Sequence, residues 1–216
     1  MMLSPAHILA AVTAFNVTSA PDLFDGFAEG WRQQWQEQRL FARPTQYDTV
    51  RDGGQLVLHA RSEAANAGLL RKVWQPAPTH GRLSWRWKIQ QPLTANPGER
   101  SRAGDDYAAR VFVVFETSLL PLQTRAINYV WAAHEPVGAV FASPHTGNVA
   151  MIVLRSGATE AGTWQMERRD VLADYRAFFG EAPRSITAVA VLVDTDNTGR
   201  WAEAWFADLR LTTILP

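Results

Sequence analysis

Segments of strand type recur along this chain from about residue 50 to its end, and helical segments do not alternate with them. Residues 83–89 alternate apolar and polar side chains at a period of two, which is typical of a strand with one buried face. Longer apolar runs at 107–115 and 149–154 are typical of central strands that are covered on both faces. The pattern predicts an all-β chain folded as a β-sandwich or jelly roll. The other predicted strands are residues 55–59, 68–74, 126–131, 186–193 and 202–211.

One short helix is predicted among the strands, near residues 170–179. Asp170 has the side chain of an N-cap, and residues 171–179 form the body of the helix. Gly180 is a typical C-terminal stop, and Pro183 follows just beyond it.

Residues 1–20 differ from the rest of the chain, because the first charged residue is Asp22. The apolar run at 8–15, followed by small residues, is the pattern of a signal peptide, which predicts a periplasmic or secreted protein. The lack of Lys and Arg in this region favours the alternative, a short docked helix capped by Ser4 in a cytoplasmic protein. The run is too short to span a membrane. Residues 21–216 are expected to form a single β-sandwich domain.

The composition excludes several classes of function. The 21 basic and 21 acidic side chains cancel, which leaves no positive charge to attract nucleic acid or an anionic membrane. Because the chain has no cysteine, it cannot form disulfides, zinc–cysteine sites or iron–sulfur clusters. The five histidines show no zinc-binding spacing, and the Gly-x-Ser-x-Gly and P-loop motifs are absent.

An acidic segment, Asp194-Thr195-Asp196-Asn197-Thr198-Gly199, places side-chain oxygens at alternate positions, as a hard cation requires. The twelfth position of an EF-hand loop would be Trp205 instead of a bidentate glutamate, which excludes an EF-hand. One interpretation is a polar turn in which Gly199 adopts a positive φ. The other is a calcium site, with Asp194, Asp196, Thr198 and Asp208 as the predicted ligands.

Two adjacent carboxylates, Asp105 and Asp106, precede a predicted strand. In an extended chain Asp106 and Arg110 lie on one face, where the carboxylate and the guanidinium can pair or bracket a ligand. The alternative is an ion pair that fixes the start of the strand. Arg168 also has two interpretations, a ligand-binding residue or part of a solvated basic turn. The predicted ligand-binding set is Asp105, Asp106, Arg110, Tyr129, Trp131 and Arg168.

Nine tryptophans are many for a chain of 216 residues, and they are candidates either for a sugar-binding surface or for the core. Trp85 and Trp87 lie two apart on one strand and share a face. The intervening Arg86 has the character of the solvent face, so both indoles are predicted to be core. The better candidates for the surface are Trp31, Trp35 and Trp131.

Six motifs follow one another along the chain: Trp85–Lys88, Gly104–Arg110, Asn128–Trp131, Trp164–Asp170, Asp194–Gly199 and Trp205–Leu209. Their order resembles the bacterial family DUF3047 over about residues 27–212. The resemblance implies a single β-rich domain of an exported protein and carries no established activity. The last strand is also similar to the closing strand of galactose-binding-like jelly rolls, so the expected fold is of the galactose-binding-like or concanavalin-like type.

These observations together predict a non-catalytic domain of an exported bacterial protein that binds a carbohydrate or another polar small molecule. It would have neither a nucleic-acid partner nor a transmembrane segment, and calcium would be structural or bridging. One alternative is an enzyme acting on polysaccharides or cell-wall material, with the carboxylates and arginines named above and one of the isolated glutamates. The other is a structural or assembly protein of the cell envelope, which would show an exposed apolar patch.

Overall fold

The strands of the computed structural model form two sheets packed face to face, which confirms the predicted β-sandwich. The alternation read from the sequence decides which face of each strand is buried. In the strand Arg82–Ile89 the side chains of Leu83, Trp85, Trp87 and Ile89 are buried, and those between them are more open. The structure describes residues 24–25, 27, 30–39, 43–76, 81–94, 97–116 and 124–212.

The first sheet is built from strands of both halves of the chain. Its strands are β1 (Phe24–Asp25), β3 (Gln46–Asp52), β4 (Gln55–Glu63), β6 (Arg82–Ile89), β11 (Gln165–Asp170) and β13 (Trp201–Thr212). They lie in the order β11-β6-β13-β4-β3, and β1 pairs with β13. All the pairings in this sheet are antiparallel.

The second sheet carries the candidate site. Its strands are β2 (Gln36–Arg39), β5 (Asn66–Pro76), β7 (Ala109–Glu116), β8 (Thr124–Ala132), β9 (Val140–Ser143), β10 (Thr146–Ser156) and β12 (Ser185–Asp194). They lie in the order β2-β5-β12-β7-β8-β10-β9, and only the β8–β10 pair is parallel among these strands.

The predicted helix is present as α1 (Val171–Phe179). The Asp170 side chain caps it by accepting hydrogen bonds from the backbone N–H groups of Leu172 and Ala173. Gly180 ends the helix with a φ of 77°. Two single-turn 3-10 helices, η1 (Trp31–Gln33) and η2 (Arg102–Gly104), complete the helical elements of the described ranges.

Aromatic side chains join the two sheets in the core. The Trp85 ring lies 5.3 Å from that of Tyr129, and the Trp87 ring lies 5.8 Å from that of Trp131. The Trp131 indole N–H donates to the Gly157 carbonyl, so this N–H group has a hydrogen-bond partner although the side chain is buried. The prediction of Trp85 and Trp87 as core is therefore confirmed.

The three tryptophans predicted at the surface are buried, so that prediction is wrong. Trp31 and Trp35 pack around Phe27, with ring centroids 6.1 and 4.9 Å from the phenyl ring. Trp131 faces the first sheet, as described above. The more open indoles belong instead to Trp164, Trp201 and Trp205.

Both interpretations of residues 1–20 lie outside the described residues, and the division of the chain at residue 21 stays a prediction. Within the described ranges, no helix has the length and apolar character needed to cross a membrane.

Candidate functional site

A pocket of about 430 Å³ lies on the outer face of the second sheet, and we call it the Arg110 pocket. The strand register brings its residues together, because Asn66 on β5 stands opposite Asp194 on β12. Leu192 on β12 stands opposite Arg110 on β7, one step further along the sheet. The apolar part of the lining comes from Phe112, Val149, Met151 and Leu192, and the polar part comes from Asn66, Asp105, Arg110, Asn128, Ser143, His145, Thr146, Asp194, Asp196 and Asn197.

Arg110 is the centre of the pocket and is only 4% exposed. Its Nε and Nη2 atoms donate to the two carboxylate oxygens of Asp194, over 2.8 and 2.5 Å. Nη1 lies 3.3 Å from Asp105 Oδ1, and Nη2 also donates to the Asp105 carbonyl. The guanidinium stacks over the Tyr107 ring at 4.3 Å. A buried guanidinium is tolerated where its charge and its N–H groups are matched in this way.

Three carboxylates crowd together beside Arg110. One oxygen from each of Asp106, Asp194 and Asp196 lies within 4.8 Å of the others. Burial raises the pKa of Asp194 to about 8 against the opposing effect of Arg110, and the neighbouring Asp106 and Asp105 raise it further. Burial and the charge of Asp106 also raise the pKa of Asp196. The cluster therefore has more negative charge than Arg110 balances.

N–H groups of the loop after β12 and of Asn66 on β5 donate to the carboxylates of this cluster. Asp106 accepts hydrogen bonds from the Asn197 side chain and from the backbone N–H groups of Asn197 and Thr198. The Asn66 amide nitrogen donates to Asp196 over 3.0 Å. The Asn66 Oδ1 and Thr198 Oγ1 atoms are buried and find no hydrogen-bond partner within the described part of the chain. Oxygen atoms of these types are ligands that calcium accepts, so the donor set fits this cation.

Asp208, the fourth predicted calcium ligand, is not brought to this cluster. Its φ of 50° falls at an irregularity of β13, where the pairing with β6 shifts between Ala207 and Arg210. The carboxylate accepts from Arg86 Nε over 2.5 Å and from Gln55 Nε2 over 2.8 Å, both on the first sheet. Asp106 takes its place in the acidic cluster.

Three of the predicted ligand-binding residues also lie away from the Arg110 pocket. Tyr129 is buried in the core, where its hydroxyl donates to Asp174 over 2.6 Å. Trp131 packs on Trp87 in the same core. Arg168 is on β11 and lines a separate pocket of about 260 Å³ on the first sheet. Tyr129 and Trp131 lie in the core and Arg168 lies on the other sheet, so the structure does not bring these three residues to the Arg110 pocket.

The structure adds lining residues that the sequence interpretation missed. Asn128 is 0% exposed within the buried run 126–132 of β8, and its amide nitrogen lies 3.4 Å from Met151 Sδ. Its Oδ1 atom has no hydrogen-bond partner within the described ranges. At the pocket mouth, His145 Nε2 lies 3.4 Å from Asp105 Oδ2. An asparagine inside an apolar run was a usable signal in the sequence, whereas His145 carried none.

The sheet order and the lining of the Arg110 pocket define a β-sandwich protein with a polar pocket on one sheet face. The chain belongs to the family described as protein of unknown function DUF3047, whose model matches residues 33–210. This match confirms the resemblance seen in the sequence. No curated protein matches the chain.

Several solved structures are similar to this chain. The family 11 carbohydrate-binding module of the cellulase Lic26A-Cel5E of Clostridium thermocellum is 8% identical, with 91% of this chain and 95% of that chain covered and a TM-score of 0.46. The K3 cleaved adhesin domain of Lys-gingipain from Porphyromonas gingivalis is 14% identical, with 89% of this chain and 99% of that chain covered and a TM-score of 0.45. The xyloglucanase domain of NopAA from Sinorhizobium fredii is 12% identical, with 83% of this chain and 92% of that chain covered and a TM-score of 0.45.

Proposed function

We propose that this chain is a non-catalytic binding domain that holds a carbohydrate or a similar polar ligand in the Arg110 pocket. A calcium ion bound by Asp106, Asp194 and Asp196 completes the site, and the protein acts in the periplasm or outside the cell. The observation that carries the proposal is the convergence of charged and amide side chains beside an apolar lining in one pocket.

The two kinds of lining suit the two kinds of surface on a sugar. A pyranose ring presents hydroxyl groups at its edge and C–H groups on its face. The carboxylate, guanidinium and amide groups of Asp105, Arg110 and Asn128 offer planar hydrogen-bonding partners for hydroxyls. Phe112 and Leu192 offer an apolar surface beside them. Asn128 Oδ1 is an unpaired acceptor buried beneath the pocket, and a ligand hydroxyl that reached it after neighbouring side chains move would remove the cost of leaving a buried carbonyl unsatisfied.

Charge and distance support the calcium ion. Asp105, Asp194 and Asp196 line the pocket with one guanidinium, and Asp106 lies beside Asp194 and Asp196, so a divalent cation relieves most of the excess negative charge. Calcium binds oxygen at about 2.3–2.6 Å, which lets two of its ligands lie up to about 5 Å apart. The separation of at most 4.8 Å among the three carboxylates is within this limit. Asn66 Oδ1 and Thr198 Oγ1 supply the neutral oxygens.

The hydrogen bonds of the carboxylates support binding instead of acid–base catalysis. Both oxygens of Asp106 accept N–H groups of the 197–198 turn, and both oxygens of Asp194 face Arg110. A general acid or base has to present its oxygen to the substrate. None of the glutamates in the described ranges lines the pocket, and Arg168 is on the other sheet. The set of groups expected for the enzyme is therefore incomplete here.

The proposed location outside the cytoplasm rests on the apolar run at 8–15 and the small residues that follow it. The dissociation constants of calcium sites in extracellular modules also match the millimolar calcium concentration outside the cytoplasm. N-terminal sequencing of the protein recovered from the periplasmic fraction tests this part. Cleavage near residue 20 is the expected result, and an intact N-terminus in the cytoplasmic fraction would contradict it.

A glycan array tests the ligand and the cation together when it is probed in about 1 mM calcium, the extracellular level, and again with a chelator. The expected result is binding to a defined set of glycans that weakens when calcium is removed. Asn128→Leu keeps the side-chain volume but removes the buried amide, so this variant should fold and lose binding. Asn148→Leu makes the same change at an exposed position outside the pocket lining and serves as the control. Absence of binding to every glycan, or equal binding by Asn128→Leu, would overturn the proposal.

A further inference from the structure

A second concave surface lies on the outer face of the first sheet and shares no lining residue with the Arg110 pocket. This Trp201 groove has a volume of about 640 Å³ and is lined chiefly by Arg43, Gln46, Arg61, Glu63, Trp201 and Glu203. Trp201 is 47% exposed, more than any other tryptophan whose side chain the structure describes. An indole of this exposure inside a groove offers a large contact area to a ligand.

The other two open tryptophans are already covered by neighbouring side chains. The Trp205 ring is stacked on His59 at 4.8 Å with an interplanar angle of 5°, and Lys88 Nζ lies 4.6 Å from the same ring. The Trp164 ring is contacted by both Arg86 and Lys88, at 5.0 and 5.1 Å. These cation–π contacts give Trp164 and Trp205 a structural role, which leaves Trp201 as the available indole among the tryptophans whose side chains the structure describes.

The polar side of the groove is fixed by pairing across neighbouring strands. Glu203 on β13 stands opposite Arg61 on β4, and Arg61 Nε lies 3.0 Å from Glu203 Oε1. The second oxygen of Glu203 lies 3.6 Å from Nε2 of the buried His59. Burial lowers the pKa of His59, which favours the uncharged imidazole. A ligand therefore meets groups that are already oriented, and this lowers the cost of binding.

The charges of the groove select the class of ligand. Arg43 and Arg61 carry two positive charges, and Glu63 and Glu203 carry two negative ones. Because the charges cancel, the groove has no net attraction for an anionic or a cationic chain. An exposed indole beside planar carboxylate, guanidinium and amide groups suits the C–H face and the hydroxyl edge of an uncharged sugar. We propose that the Trp201 groove is a second binding site for a neutral oligosaccharide and that it works without calcium.

Calorimetric titration in EDTA tests this site independently of the Arg110 pocket, because the pocket is proposed to need calcium. The probes are cellohexaose, laminarihexaose, xylohexaose and mannohexaose, with hexagalacturonate as the charged comparison. The wild-type protein is expected to bind at least one neutral hexamer in EDTA, and Trp201→Ala is expected to weaken that binding by about tenfold or more.

Met166→Ala is the matched control, because Met166 is 55% exposed on the same sheet and lies outside the groove. Unchanged melting temperatures verify that both variants are folded. Glu203→Gln keeps the shape of the groove wall and is expected to weaken binding less than Trp201→Ala. The proposal is overturned if no neutral hexamer binds in EDTA, if only hexagalacturonate binds, or if Trp201→Ala binds as tightly as the wild type. Failure of calcium-dependent binding alone would overturn the Arg110 pocket and leave the groove intact.

Discussion

Replacing Arg110 with methionine removes the guanidinium between Asp194 and Asp105 and keeps most of the buried side-chain volume. Removing one partner of a buried ion pair costs about 3–5 kcal/mol, because the other charge stays buried without compensation. Arg110 faces two carboxylates and a third lies beside them, so we expect a loss of stability toward the upper part of this range.

The loss should depend on pH in a defined direction. The pKa of Asp194 is raised to about 8, above the 3.8 of an ordinary aspartate, so the folded state holds a proton that the unfolded state has released. Stability therefore falls as the pH rises between about pH 4 and pH 8. Because Arg110 lowers this pKa, its removal extends the fall in stability to pH values above 8. The loss of stability caused by Arg110→Met should therefore be larger at pH 8 than at pH 5.

Urea denaturation in EDTA, followed by tryptophan fluorescence at pH 5 and pH 8, measures this effect. Arg100→Met is the matched control, because Arg100 also makes two hydrogen bonds to a single carboxylate, that of Glu135, but on the surface. Its loss should be far smaller than that of Arg110→Met, with little dependence on pH. A loss of less than about 1 kcal/mol for Arg110→Met, or a loss that does not shrink at pH 5, would refute the account of the buried pair.

Three further predictions concern the cation and the helix. Because burial raises the pKa values of both Asp194 and Asp196, the calcium-free cluster holds a proton near neutral pH, and calcium binding should release this proton. The calorimetric heat of calcium binding at pH 7 should therefore differ between buffers of different ionisation enthalpy. Equal heats in these buffers would contradict proton release. In Gly81→Ala the new Cβ would lie 2.9 Å from Val171 Cγ2, so the free energy of unfolding measured by urea denaturation should fall by about 1–3 kcal/mol. An unchanged denaturation midpoint would show that the helix can shift to make room for the methyl group. Asp170→Ala removes the helix cap and should cost about 1 kcal/mol by the same assay, with Asp170→Asn retaining most of the stability.

The local parts of the fold could be predicted from the sequence. The alternation in β6 follows from the two-residue period of a strand, which sends Trp85 and Trp87 to one face whatever the partner strands are. The cap at Asp170 and the stop at Gly180 act within a few residues. The absence of alternating helices then left the β-sandwich as the remaining class.

The composition of the site was predicted only where neighbours in sequence are also neighbours in space. Asp106 and Arg110 belong to one segment, but their meeting with Asp194 depends on the pairing of β7 with β12, some 80 residues apart. Asp208 was misplaced because β13 belongs to the first sheet, where Arg86 and Gln55 donate to its carboxylate, whereas the cluster lies beside the second sheet. The internal acceptor of the Trp131 N–H, the Gly157 carbonyl, could not be read from the sequence, so its burial was missed.

A crystal structure of the protein grown with calcium and the strongest glycan-array ligand tests the Arg110 pocket most directly. We predict a calcium ion about 2.3–2.6 Å from oxygens of Asp106, Asp194 and Asp196. The ligand should lie against Phe112, with a hydroxyl hydrogen-bonded to Asn128 Oδ1. An Arg110 pocket that holds no saccharide, or a carboxylate cluster that holds no metal at millimolar calcium, would contradict the account.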